Sequence, residues 1–367
     1  MYPYIVLLSI LSLACIVSFL GHFDSIPDGF GACCRKKRLM IRITCGKSVF
    51  LFLCLYLIIF SGIRYYVGTD YWAYIDAYCQ QASGFFYNWH FEIGFFTLIK
   101  AVAFFKVSYV WFFIVVAVIT IFPIANAVRK RSPYPIFSMT LYVLLFFFCS
   151  SFNTPRHSIA IAIIIWASKY IIEKKFWNYL ICVAFATTFH TSAVVFIGLY
   201  FIGKIKINNK TKIAMIVFAA ITLIFGRRLT TFFLSLWPQY SIYIGYESGS
   251  ALSDLIVQAA ILVLLERTRT NVDGEMEKRE FKFFYCCTFF AIIMSAMTSV
   301  NILFARLEAY FYIFSILAIP FGIHYARKNK GLYYFAFWAL GILVCVRYLL
   351  ANNCGVVPYK ISPLIGL

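Results

Sequence analysis

Apolar runs of near-spanning length, separated by short basic segments, dominate the chain. Such runs have no stable home in water, and an α-helix needs about 20 mostly apolar residues to cross a bilayer. The first covers residues 4–20. It lacks a basic region before it and a small-residue cleavage site after it, so it reads as a retained helix rather than a signal peptide. A connection holding Arg35, Lys36, Lys37, Arg38, Arg42 and Lys47 follows, and the positive-inside rule places it in the cytoplasm. Beyond it the pattern predicts helices over 48–62, 109–128, 134–149, 158–172, 176–190, 191–203, 213–225, 251–265, 283–300, 304–325 and 332–350. The runs 176–190 and 191–203 are short for full spans and read as a hairpin with His190 at its outer apex. The run 91–106 is also short, and Lys100 interrupts it. An even number of crossings must join Lys47 to the basic cluster Arg129, Lys130 and Arg131, so 91–106 is expected to lie in the interface or re-enter rather than cross.

The fold expected is therefore an all-α polytopic membrane protein, one integral membrane domain over 1–367 with about 12 transmembrane helices, in a range of about 11–14. Outer loops fall at about 62–92, 150–157 and 226–250, and cytoplasmic loops at about 21–47, 204–212 and 266–282.

Composition sharpens the class. Of 367 residues, 63% are hydrophobic, 20% aromatic and only 13% charged, against roughly 25% charged in soluble domains. The net charge of +19 sits in short loops between apolar runs. That is the positive-inside pattern, not a nucleic-acid footprint, and no nucleic-acid partner is expected. The 12 cysteines lie mostly inside apolar segments, as at Cys54, Cys149, Cys182 and Cys345, where they act as small hydrophobes. The adjacent pairs Cys33-Cys34 and Cys286-Cys287 have no partner at metal spacing. Neither zinc, another metal, an organic cofactor nor a disulfide framework is expected.

The polar residues that remain gather on one side. S-S-F-N-T-P-R-H at 150–157 sits between two apolar runs and places Arg156 and His157 directly after Pro155. Proline favours a helix start, whose free N–H groups join the guanidinium in an anion site in outline. The plainer alternative is that Arg156 snorkels to lipid phosphates. The loop 62–92 interleaves Arg64, Asp70, Asp76 and Glu92 with Tyr65, Tyr66, Tyr71, Trp72, Tyr74 and Tyr78. Tyr71, Tyr74 and Tyr78 recur at helical spacing, which predicts an interfacial helix. An aromatic belt explains the rings but not the acids and the arginine among them; aromatics beside carboxylates suit sugars. With Arg156, His157, His190, Arg227, Arg228, Arg306 and Glu308, these residues all fall on the outer face of the expected topology. Arg64 and Asp70 pairing with each other, and His190 as a satisfied buried histidine, are the ordinary structural readings. No Gly-rich phosphate loop is present. Arginines, carboxylates and a histidine at the outer face suit a lipid-linked diphosphate better than a nucleotide.

Six motifs carry a resemblance. R-Y-Y-V-G-T-D-Y (64–71), F-E-I-G-F-F (91–96), N-T-P-R-H-S-I-A-I-A (153–162), F-A-T-T-F-H-T-S-A (185–193), A-R-L-E-A-Y-F (305–311) and V-P-Y (357–359) resemble, in order and spacing, the EpsG family of bacterial exopolysaccharide and O-antigen (Wzy-type) polymerases. The resemblance implies a metal-independent glycosyltransferase with a GT-C-like arrangement of helices in a bacterial inner membrane, its site facing the periplasm. Its substrate would be an undecaprenyl-diphosphate-linked oligosaccharide, and a chain-length regulator is an expected partner beside the lipid bilayer itself. The family often has R-Q where this chain has Arg156-His157. On this reading Arg156, Arg306 and, in second rank, Arg64 hold the diphosphate. His190, Asp70 and Glu92 are the catalytic candidates, with His190 and Asp70 competing as base. His157, Asn153, Tyr71 and Tyr310 contact substrate. A flippase of lipid-linked oligosaccharide, a single-sugar polyprenyl-phosphate transferase and a membrane acyltransferase are the rivals.

Overall fold

The computed structural model describes residues 1–21, 34–84, 91–202, 205, 207–235, 252–298 and 300–365. Parts of the loops expected at 21–47, 62–92, 204–212 and 226–250 lie outside the described residues, as does Cys33. The described chain is helical apart from one short strand pair. In order the helices are α1 (Tyr2–Gly21), α2 (Cys34–Gly62), α3 (Tyr71–Ala82), α4 (Ile93–Ala103), α5 (Tyr109–Arg131), α6 (Pro135–Leu144), α7 (Phe147–Ser150), α8 (Pro155–Ala167), α9 (Lys169–Ile172), α10 (Phe176–Phe189), α11 (Leu199–Ile202), α12 (Asn209–Ser235), α13 (Leu252–Thr268), α14 (Glu275–Met297), α15 (Leu303–Tyr312), α16 (Ser315–Tyr325) and α17 (Lys330–Leu350). The chain is a multi-pass membrane protein. Among the described residues, five segments are long and apolar enough to span: Tyr2–Phe19, Tyr109–Arg131, Glu275–Met297, Leu303–Tyr325 and Lys330–Leu350. A bent pair, Asn209–Thr222 with Ile224–Phe232, makes a sixth if it is one span. The remaining apolar helices are shorter, so the expectation of about 12 crossings exceeds what helix length alone supports.

Two compact units divide the chain. One comprises Met1–Trp166, Ala184–Thr191 and Gly341–Leu367; the other comprises Ala167–Val183 and Ser192–Leu340. In the first, α1, α2, α5 and α6 pack through Leu7, Leu11, Leu53, Leu57, Ile121 and Leu141, all buried. The α3 helix forms where tyrosine spacing predicts it, with Tyr71, Tyr74 and Tyr78 inward. The α4 helix has 11 residues, about 16 Å at 1.5 Å per residue and half of what a bilayer core requires.

The run expected as one helix over 134–149 breaks instead. Phe146 adopts a left-handed backbone (φ 67) between α6 and α7, a conformation that is unusual for a bulky aromatic. Its ring packs on Tyr348 at 4.9 Å, so packing within the unit holds the break.

In the second unit α12 runs through Gly226, Arg227 and Arg228, which were expected to open an outer loop. Helix α14 starts well before its apolar run, at Glu275, because Glu275 and Glu277 in its first turn suit the positive end of the helix dipole. Lys212 pairs with Glu266 at 2.6 Å, and an Arg269 N–H donates to the Ile207 carbonyl at 2.9 Å, tying the basic connections together.

Candidate active site

Three helix ends of the first unit meet at one carboxylate. Pro155 opens α8, where its fixed φ and missing N–H cost nothing, and Arg156 follows in the first turn. Glu92 precedes α4 with extended backbone (φ −61, ψ 148) and makes no capping bond to its own helix. Its side chain serves the neighbouring helices instead. Glu92 Oε2 accepts from Arg156 Nη1 at 2.5 Å, and Oε1 lies 2.9 Å from His190 Nδ1. The Thr191 N–H and hydroxyl both donate to Oε1 at 3.3 Å. His190 directly follows α10, where its N–H closes on the Ala186 carbonyl at 3.1 Å.

Glycine at 94 allows this meeting. A Cβ there would lie 2.8 Å from the Thr188 carbonyl oxygen and 2.9 Å from its carbon, and would collide with the Thr188 hydroxyl. Any side chain at 94 pushes α4 off the end of α10 and carries Glu92 away from His190.

Burial pushes the Glu92 carboxyl up, but the His190 hydrogen bond and the Arg156 charge outweigh it and hold the group at about 2. It is therefore ionised at neutral pH and can only accept hydrogen bonds. The network therefore places a proton on His190 Nδ1, so that in the neutral imidazole Nε2 is the acceptor. The Arg156 guanidinium lies over the Phe91 ring at 4.9 Å and has the Tyr74 hydroxyl as a second polar partner; its Nε is buried without a hydrogen-bond partner. The His157 ring stands edge-on to His190, with centroids 5.0 Å apart. One cation, one anion and two imidazoles thus share a partly covered corner, with side-chain exposures of 27% for Arg156, 14% for Glu92 and 13% for His190.

A second polar group is built on the 64–71 segment. Asn153 Oδ1 accepts from the Asp70 N–H at 3.0 Å and from the Thr69 hydroxyl. Thr69 also lies 3.3 Å from Asp70 Oδ1, and the Asp70 carboxylate is exposed. The turn before it needs glycine, since Gly68 has φ +104 and its α-carbon faces the Phe152 carbonyl. The C-terminal tail fastens this segment. Gly68 and Thr69 N–H groups donate to Gly355 and Cys354 carbonyls at 3.0 and 3.1 Å. Arg64 and Tyr65 form β1, antiparallel to β2 (Lys360–Ile361). The Tyr359 hydroxyl donates to the Phe60 carbonyl, and the Tyr4 hydroxyl donates to the Val356 carbonyl at 2.9 Å.

Each remaining candidate sits within its own unit. Arg64 is 1% exposed, with its guanidinium 4.1 Å from the Phe113 ring centre and 5.0 Å from that of Phe152; it donates to the Ser61 carbonyl. It neither pairs with Asp70 nor reaches solvent, because the aromatic pocket and the β1 pairing turn it inward. Tyr71 also points in, stacked on Phe113 at 5.2 Å. In the second unit Tyr310 is fully buried, stacked on Phe196 at 4.2 Å with its hydroxyl 3.3 Å from that of Ser192. Arg306 is exposed on α15, while Glu308 on the same helix is buried. Gly94, Tyr74 and Thr191 were not singled out for the site from sequence, although Gly94 and Thr191 stand inside the F-E-I-G-F-F and F-A-T-T-F-H-T-S-A motifs.

Neither a curated relative nor a solved structure matches the chain. The model of the EpsG family matches residues 47–361, a span that takes in every motif of the site, so the chain belongs to the EpsG family.

Proposed function

We propose that the protein is a polysaccharide polymerase, a glycosyltransferase that joins undecaprenyl-diphosphate-linked oligosaccharide repeat units at the periplasmic face of a bacterial inner membrane. The observation that carries this reading is Glu92 bridging Arg156 and His190. It unites an anion-binding guanidinium and an oriented base on one carboxylate. Membership of the EpsG family supports the polymer chemistry.

In the proposed reaction an acceptor sugar hydroxyl attacks the anomeric carbon of the growing chain. A new C–O bond forms as the bond from that carbon to the diphosphate oxygen breaks. The hydroxyl proton passes to His190 Nε2, and the lipid diphosphate leaves with the bonding electron pair. Glu92 is too acidic to take that proton; it fixes the imidazole and stabilises the imidazolium as it forms. Arg156 lies against the departing diphosphate, where a guanidinium fork suits phosphate oxygens. General-base help of this kind is worth about 10²–10⁴-fold. Asp70, exposed and held by Asn153, suits sugar hydroxyls rather than proton transfer. His157 beside His190 suits acceptor contact. Arg64 and Tyr71, turned into the core, act as supports.

The test is an electrophoretic glycan ladder from cells lacking the gene, complemented with wild type or Arg156→Ala. Collapse to single repeat units, unrescued by the variant, supports the polymerase. Complete loss of surface glycan with lipid-linked units trapped inside indicates a flippase, and an unchanged ladder with altered sugars indicates a single-sugar transferase.

A further inference from the structure

Between α13 and α17 the second unit holds a groove of about 280 Å³, and none of its lining residues takes part in the proposed chemistry. Its apolar walls come from Ala260, Val263 and Leu264 on α13 and from Ala336, Phe337 and Leu340 on α17. Leu264 and Phe337 are buried and form the floor, while Val263 and Ala336 are exposed at the rim. Leu264 packs down against α16, where Gly322 presents no side chain; a Cβ there would lie 2.7 Å from it. The two alanines leave a slot that larger residues would fill. Two polar residues complete the lining, Arg267 in the last turn of α13 and Tyr333 in the first turn of α17.

By the positive-inside rule the end of α13 and the start of α17 both face the cytoplasm, so Arg267 and Tyr333 mark the same end of the groove. From there the lining runs back to Ala260 and on to Leu340, about 10 Å along each helix. Neither polar residue has a hydrogen-bond or ion-pair partner among the described residues. The neighbouring Glu266 is engaged by Lys212 at 2.6 Å and lies 3.7 Å from Arg269. Lys330, exposed one turn before Tyr333, adds a second cation. An apolar slot with a guanidinium and a phenol at its mouth matches an amphiphile: an acyl chain along the slot and a phosphate on the arginine fork. Lipid tails are as apolar as leucine, so the chain alone gives no preference and the headgroup must supply it. Excess positive charge at a cytoplasmic mouth selects an anionic headgroup. A helix, about 10 Å across with its side chains, does not fit a slot that two alanines open.

We propose that Arg267, Tyr333 and the apolar groove behind them form a binding site for one anionic phospholipid of the cytoplasmic leaflet. The lipid fills the gap between α13 and α17 and holds the two helices together.

The experiment titrates the full chain in detergent with phosphatidylglycerol and, separately, with phosphatidylcholine, and counts bound lipids by native mass spectrometry. One phosphatidylglycerol should bind ahead of the rest, at a concentration roughly tenfold below that needed for phosphatidylcholine. Ala336→Leu fills the slot without changing a charge, and Arg267→Gln removes the cation; both residues are exposed, so neither change disturbs the fold. Each should weaken binding of that first phosphatidylglycerol roughly tenfold. Lys328→Gln, which removes an exposed cation outside the lining, should leave it unchanged. In nanodiscs the thermal midpoint should be higher in phosphatidylglycerol than in phosphatidylcholine for wild type and Lys328→Gln, and not for the two groove variants, since a ligand of the native state stabilises it. Equal binding of the two lipids by wild type overturns the proposal. So does an Ala336→Leu protein that binds phosphatidylglycerol like wild type, or a Lys328→Gln protein weakened as much as Arg267→Gln, since either leaves only a surface charge effect. A protein that copurifies with wild type and is lost from Ala336→Leu, without any lipid preference, replaces the lipid with a partner helix. None of these readouts involves glycan synthesis, so they stand apart from the polymerase reading.

Discussion

Replacing Glu92 by glutamine keeps the shape of the side chain and removes the charge on which Arg156 and His190 converge. Holding this carboxyl at about 2 against an ordinary 4.5 corresponds to about 3 kcal/mol of native-state stabilisation at neutral pH. The three side chains are 27% exposed or less, so solvent screening lowers this only to about 2–3 kcal/mol. The folded value is depressed, so the contribution is complete above about pH 4.5 and is lost as pH falls through 2; near pH 3 about half remains. Glu92→Gln should therefore lower the unfolding free energy by about 2–3 kcal/mol at pH 7, and the gap to wild type should shrink to about 1 kcal/mol at pH 3. Denaturant titration of both proteins in bicelles at the two pH values measures the gap. A difference under about 0.5 kcal/mol at pH 7, or one that does not change with pH, would refute the bridging role.

Gly94→Ala should displace α4 from α10. Overpacking of this kind costs about 1–3 kcal/mol, and in cells polymer yield should fall while protein level is largely kept, read by glycan ladder and immunoblot. Deleting residues 352–367 should release the 64–71 segment, giving faster amide exchange at Gly68 and Thr69 and loss of polymer. Arg306→Ala should shorten or abolish the ladder at normal protein levels, and full-length polymer would remove Arg306 from the diphosphate assignment. Arg64→Lys should act chiefly on stability, lowering the thermal midpoint, since a lysine cannot stack between Phe113 and Phe152 as a planar guanidinium does.

The membrane class and most helix positions were legible because apolar period and basic loops are strong, redundant signals. So was the helix start at Pro155, which needs only local chemistry. Helix ends were less so. Charged residues such as Glu275 and Arg227 read as loop, yet they continue helices because backbone bonding extends past the apolar run. The break at Phe146 has no glycine or proline to announce it and exists through its packing on Tyr348. The candidate residues themselves stand in the motifs, but their partners do not follow from order along the chain. Glu92 and His190 are distant in sequence, and only the close approach at Gly94 joins them. Arg64 looks like a ligand by charge and is a support by burial. The tail, represented in the sequence only by V-P-Y, clamps a segment it never neighbours in the chain.

The most direct test uses purified protein in nanodiscs with lipid-linked repeat units extracted from cells lacking the gene. Wild type, Arg156→Ala and His190→Ala are compared for conversion of single units to longer lipid-linked chains. Elongation by wild type, falling at least about 10²-fold in each variant at equal folded protein, is the predicted result. Elongation that survives both substitutions, or wild-type protein that extends nothing, contradicts the account.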